Sequence, residues 1–219
     1  MPRLYNRRSL EKRVPALIDI SPTVSPRTAV WPGDVAFRRD VALDMARGDH
    51  LTLSAITTTT HVGAHADAPS HYARDGVAIA ERSLAPYYGL CQVVRARVPA
   101  GERLRPQHLP QAIVAPRVLF ATGSFPDPER FDEDFASLSP ALIALLAQRG
   151  VVLVGIDTPS IDPFSSKLLE SHGAIARHDL AILEGLVLEH VEPGCYTLAA
   201  FPLKLEGADA SPVRAVLIS

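Results

Sequence analysis

Apolar, β-branched runs cut by Pro and Gly predict strands at 17–21, 35–43, 51–60, 91–98 and 117–122. Ser139 is then placed to cap a helix whose first position is Pro140. The ALIALLAQR that follows sets apolar residues along most of one helical face, and Gly150 supplies a stop. The continuous apolar run 151–154 reads as a strand buried on both faces, so 117–154 forms a strand–helix–strand crossover. Residues 165–184 read as one or two helices, and 186–191, 196–205 and 212–218 as closing strands. No repeat or composition break divides the chain. The expected fold is therefore α/β: a single domain with a mixed, strand-rich sheet and flanking helices.

The pattern changes character at His61-Val-Gly-Ala-His65-Ala-Asp67-Ala-Pro69-Ser-His71. His61, Gly63, His65, Asp67, Pro69 and His71 fall on odd positions, and small or apolar residues fill the even ones. On an extended chain one face would carry every ligand-type side chain. A flat strand fails, however, because residues four apart lie about 13 Å apart at about 3.3 Å per residue. Two imidazoles on one ion, bound at about 2.0–2.1 Å, cannot span that. The chain must bend between His61 and His65, and Gly63 permits it. The TTTT run before the motif and Pro69 within it argue against a continuous helix. Imidazole with carboxylate suits Zn²⁺ best, with Mn²⁺ or Fe²⁺ compatible.

Downstream, SSKLLESHGAIARHDLAILEGLVL holds His172, His178, Asp179 and Glu184. Glu184 lies between Ile182-Leu183 and Gly185-Leu186-Val187, where an unpaired carboxylate would be costly. Coordination to an ion would resolve that cost. Spacing alone does not choose between His172 and His178.

Composition narrows the function classes. The 219 residues are 47% hydrophobic and 21% charged, with a formal charge of −2. Twenty-two Lys plus Arg against 24 Asp plus Glu leave no surplus for nucleic acid. No apolar run approaches the ~20 residues of a membrane span. The basic N-terminus, residues 1–14, lacks an apolar stretch behind it and reads as an exposed arm outside a domain at 15–219, not as a signal peptide. Cys91 and Cys195 each fall in a predicted strand outside any CxxC pattern, which suggests buried free thiols and a reducing cytoplasm. A serine nucleophile finds no GxSxG elbow, and Ser124 and Ser160 lack that context.

At the His segment the sequence resembles the cyclase-like metal hydrolase family, whose signature is HxGTHxDxPxH, and within it the branch of bacterial kynurenine formamidases (arylformamidases). The resemblance runs from about Ile18 to the C-terminus. It includes DISPTVSP, VWPGD at 30–34, GIDTPSIDP at 155–163, RHDLAILEGLVLE and DASPVRAVL. It implies the family's swivelling β/β/α fold and a two-zinc site. Its ligands would be His61, His65, Asp67 (bridging), His172 and Glu184, the last two being twelve apart as in the family. The signature's last His falls on His71, implied as general acid/base. The signature's Thr is Ala64 here. The implied reaction is hydrolysis of N-formyl-L-kynurenine to L-kynurenine and formate, in a homodimer acting on a small-molecule substrate. Trp31 could pack on the substrate's ring, or cap the core beside Pro32. Two alternatives remain from sequence: a hydrolase of another cyclic or aryl amide such as isatin, and a non-catalytic metal-stabilised binding protein.

Overall fold

The crossover expected at 117–154 forms and is followed at once by a second. The structure, a computed structural model, describes residues 15–219, so the basic arm expected at 1–14 lies outside the described residues. In chain order the strands are β1 (Leu17–Asp19), β2 (Arg38–Leu43), β3 (Leu53–Thr57), β4 (His65–Asp67), β5 (Tyr88–Arg95), β6 (Arg103–Leu104), β7 (Arg117–Ala121), β8 (Ser137–Leu138), β9 (Leu153–Ile156), β10 (Ala181–Glu184), β11 (Gly194–Ala199), β12 (Ala210–Pro212) and β13 (Val216–Ile218). The α-helices are α1 (Pro69–Tyr72), α2 (Pro140–Gln148) and α3 (Glu170–His178).

Nine strands form one sheet in the order β1-β13-β11-β5-β7-β9-β10-β4-β12. Its centre, β5-β7-β9-β10, is parallel, and antiparallel strands flank it on both sides. Parallel neighbours need crossovers, and α2 and α3 supply them between β7, β9 and β10. The Ser139 hydroxyl accepts from the Leu142 N–H, so the helix begins where the cap residue predicts. Both helices lie on one face, where Leu142, Ile143, Leu146 and Ile175 pack on Val118, Phe120, Val154, Ile156 and Ile182. The alternate positions Leu119, Leu153 and Leu183 turn to the other face and meet Val93, Leu198 and Leu217. Burial of each such side chain contributes about 1.5–3 kcal/mol, so β7, β9 and β10 are fixed from both sides.

Three expectations are corrected. The helical reading of 165–184 holds only for α3, because Ala181–Glu184 is a fully buried strand. Good helix formers there are overridden by burial on both faces. Residues 186–191 form no strand; Leu186, Leu188 and Val191 are buried in the core, while the backbone makes only single bonds to its neighbours, Leu186 N–H to the Ile156 carbonyl and Val187 N–H to the Ile20 carbonyl. Cys91 is buried as expected, but Cys195 is exposed; both are free. No helix among the described residues is long and apolar enough to cross a membrane.

Candidate metal centre

The site lies where β10 ends beside the start of β4. Their antiparallel register sets Glu184 opposite His65 and Ile182 opposite Asp67. His65 and Asp67 share a face of β4, while Ala64, Ala66 and Ala68 pack into the core behind it. The bend expected at Gly63 is present, with φ at +58°. A side chain at Gly185 would lie 2.1 Å from the Gly63 carbonyl oxygen, so this glycine lets the end of β10 meet the bend. The single extended face expected for 61–71 stops at Asp67. Pro69 opens the short helix α1, and His71 reaches the site from there. His172, the third residue of α3, arrives from above the sheet.

Asp67 sits at the centre. Its Oδ1 lies 3.1 Å from His61 Nδ1 and 3.5 Å from His65 Nε2, and its Oδ2 lies 3.4 Å from His172 Nε2. Glu184 also faces two ways, with Oε2 3.4 Å from His65 Nε2 and Oε1 3.5 Å from His172 Nε2. All five side chains therefore converge, and His178 does not join them in any of these contacts.

These spacings test whether a cation fits. Separations of 3.4–3.5 Å are long for hydrogen bonds, and His65 Nε2, His172 Nε2 and both Asp67 oxygens are buried without a hydrogen-bond partner. Four donors around an ion at about 2.0–2.1 Å in tetrahedral array stand about 3.3–3.4 Å from one another. Buried, unpartnered nitrogen and carboxylate atoms at that separation are what a borderline divalent cation requires. The ligand atoms of His65, Asp67 and Glu184 lie within 4.8 Å of one another, as do those of His61, Asp67 and His71.

Opposite charges set the ionisation of the cluster. Burial pulls the His61 imidazole down, yet Asp67 and Asp209 outweigh it and raise it to about 9. Burial likewise opposes charge on His172, but Asp162, Asp67 and Glu184 hold its pKa well above the usual range. Burial raises Asp67, and His172, His61 and His65 more than offset this, so it stays well below the carboxylate range. Glu184 is lowered too, against burial and the Asp67 charge, by His172 and His65.

A cavity of about 700 Å³ opens over this cluster. Its walls include Trp31, Phe125 and Phe131. The Trp31 ring packs on Phe164 at 4.9 Å and Phe131 at 5.5 Å, and remains 37% exposed on the cavity side. It is thus both part of an aromatic cluster and a wall of the cavity.

A family model described as Cyclase matches residues 18–163. The chain belongs to the cyclase family. A cyclase-family relative, the kynurenine formamidase of Bordetella pertussis, is 47% identical over 203 residues, or 92% of this chain and 97% of that protein. A solved structure described as a predicted metal-dependent hydrolase from Bacillus stearothermophilus is 26% identical, with a TM-score of 0.77 over 93% of this chain and 98% of that one. Isatin hydrolase A from Labrenzia aggregata, at 22% identity, has a TM-score of 0.75 over 93% of each chain and shares the fold.

Two carboxylates that the sequence reading did not single out support this cyclase-family cluster. Asp162 Oδ2 lies 2.9 Å from His172 Nδ1 and also accepts from the His172 and Ser171 backbone N–H groups. It caps α3 and aims His172 Nε2 at Asp67 and Glu184 in one arrangement. The Gly63 carbonyl does the same for His65, 2.8 Å from its Nδ1. Asp209, held by the Thr60 hydroxyl at 2.9 Å, lies 3.3 Å from His61 Nε2 and 3.6 Å from His71 Nδ1. Asp162→Asn is expected to weaken metal affinity by about 10–100-fold while the fold persists, measured by competition with a chromogenic chelator. Unchanged affinity would assign Asp162 to helix capping alone.

Proposed function

We propose that this chain hydrolyses N-formyl-L-kynurenine to L-kynurenine and formate at a centre of two zinc ions held by His61, His65, Asp67, His172 and Glu184. The observation that carries the reading is the buried convergence of His65, Asp67, His172 and Glu184 at the floor of an aromatic-walled cavity. The Bordetella relative directs the substrate choice. Two ions are favoured over one because Asp67 and Glu184 each present their two oxygens to different histidines.

A divalent ion bound here supplies Lewis acidity, lowering the pKa of a water to about 7 and drawing off oxyanion charge. Asp67 and Glu184 hold their negative charge at neutral pH and are therefore ready to bind a cation. Water adds to the formyl carbon, the C–N bond breaks, and the aryl amine leaves with a proton. His71 delivers that proton: it is exposed at the cavity wall beside His61, where it reaches both substrate and solvent. Trp31 lies against the substrate's ring, its own plane fixed by Phe164 and Phe131. The working form is a homodimer in the cytoplasm, and light scattering measures its mass.

The direct test is hydrolysis of formylkynurenine before and after chelation, with isatin alongside. Chelation is expected to abolish turnover and Zn²⁺ to restore it. Cleavage of isatin but not formylkynurenine would overturn the substrate.

Proton competition gives a second test. With its pKa raised from 6.5 to about 9, His61 stays protonated at pH 7 in the metal-free protein. Its contribution to the metal-free fold is complete below about pH 6.5 and is lost as pH rises through about 9. Metal must displace that proton, so affinity rises with pH up to about 9 and uptake at pH 7 releases protons. Calorimetry in two buffers of different ionisation enthalpy counts them, and no release at pH 7 would refute the competition.

A further inference from the structure

The parallel strands of the sheet end along one edge of the cavity. Glu184 ends β10, Asp157 directly follows β9, Gly123 stands two residues beyond β7 and Arg97 two beyond β5. All four line the cavity. Ligands of open α/β sheets lie outside the carboxyl ends of their strands. The His–carboxylate cluster sits at the β10 end of this edge. Arg97 is rooted three strand spacings away, about 14 Å at about 4.8 Å per spacing. A substrate reacting at the cluster and extending along the edge would bring its far end to Arg97.

Among the described residues, charge is scarce on these walls outside the cluster. Asp157 is buried and occupied, accepting from the Thr122 N–H and hydroxyl and from the Gly123 N–H. Asp34 caps the Val35 N–H. Arg97 is then the one arginine or lysine among the described residues that line the cavity, with Glu189 beside it. The two meet through a single 3.4 Å contact, with side chains 64% and 63% exposed. Such a pair contributes little to stability and exchanges partners readily. Glu189 is nevertheless placed firmly, because Arg95 Nη2 donates to its carbonyl oxygen at 3.2 Å and to that of Val191 at 3.0 Å. Gly123 keeps the approach open: a Cβ there would lie 3.4 Å from Glu189 Oε2 and 3.7 Å from Arg97 Nη2.

We propose that Arg97 and Glu189 form the subsite for an amino-acid head group, the guanidinium receiving the α-carboxylate and the Glu189 carboxylate the α-ammonium. The inference rests on the formylkynurenine reading and makes it more specific. The enzyme selects aryl formamides that carry a zwitterion, and this pair is the selector. A planar guanidinium matches a carboxylate through two parallel hydrogen bonds, whereas lysine offers only a point charge.

The experiment compares N-formyl-L-kynurenine with N-formyl-2-aminoacetophenone, which keeps the ring, ketone and formamide but lacks the head. In the zinc-loaded wild type, formylkynurenine is expected to have the lower KM. Arg97→Ala should raise its KM by about 10–100-fold, the range for a lost hydrogen bond to a charged group, and bring the two substrates close together. Arg97→Lys should fall between, and Glu189→Gln should raise the formylkynurenine KM by a smaller factor. Metal content and Tm are read on each variant, so a general disturbance is visible as loss on both substrates. Variants that move both substrates alike, or neither, overturn the subsite while the parent reading stands. Wild type inert toward both substrates ends the parent reading and this one with it.

Discussion

Asp67→Asn is expected to leave the protein folded but unable to retain metal, with kcat/KM on formylkynurenine lowered by at least about 10³-fold. Removing one oxyanion donor from a hydrolase costs about 10²–10³-fold, and here the whole electrophilic centre is at stake. The physical reason is the position of the two oxygens. Oδ1 faces His61 and His65, and Oδ2 faces His172, so the carboxylate connects the two halves of the cluster. An amide has the same shape but replaces one oxygen with an NH2 donor, which turns hydrogens toward the place a cation must occupy. It also removes the main charge holding the His61 proton against burial, so the imidazole of the metal-free variant should titrate well below about 9. Metal analysis, circular dichroism and histidine NMR read the three effects. Full metal retention by a folded variant would remove Asp67 from the centre.

The second large effect is expected at His71. His71→Asn should lower kcat by about 10²–10⁴-fold, the usual worth of a positioned acid/base, with metal content unchanged. The geometry leaves a clear rival. The His71 ring stands 4.3 Å from that of His61, and its ligand atoms lie within reach of the Asp67 group. If metal is lost together with activity, His71 is a ligand and the proton comes from elsewhere. If turnover is unchanged, it has no role in the step. A normal metal content with a steep fall in kcat supports proton delivery.

Much of this was legible in the chain because it is local. Ser139-Pro140 and Gly150 bracket α2 by backbone chemistry that needs no distant partner. The His61–Asp67 pattern fixes both the shared face of β4 and, through Gly63, the bend before it. Glu184 announced itself by the cost of its apolar neighbours. What remained hidden depends on contacts between distant segments. His172 and His178 are equivalent by spacing; the structure separates them, since only His172 is buried against Asp162. Asp162 and Asp209 look like ordinary loop acids in SIDP and GADA. Their effect on the histidines exists only after β9, α3 and β12 are in place. The end of 165–184 departs from its helical pattern for the same reason: strand pairing on both sides overrides helix-forming residues.

The antiparallel pairing of β4 with β10 also bears on how the protein matures. A slip of one residue would turn His65, Asp67 and Glu184 away from each other, because successive side chains point to opposite sides. The ladder joins early and late portions of the chain, a slow kind of contact to establish. The combination of His65, Asp67 and Glu184 is therefore complete only once these two strands are correctly aligned. A molecule with the strands out of register would keep at most part of that ligand set, so misalignment costs the site before it costs the sheet.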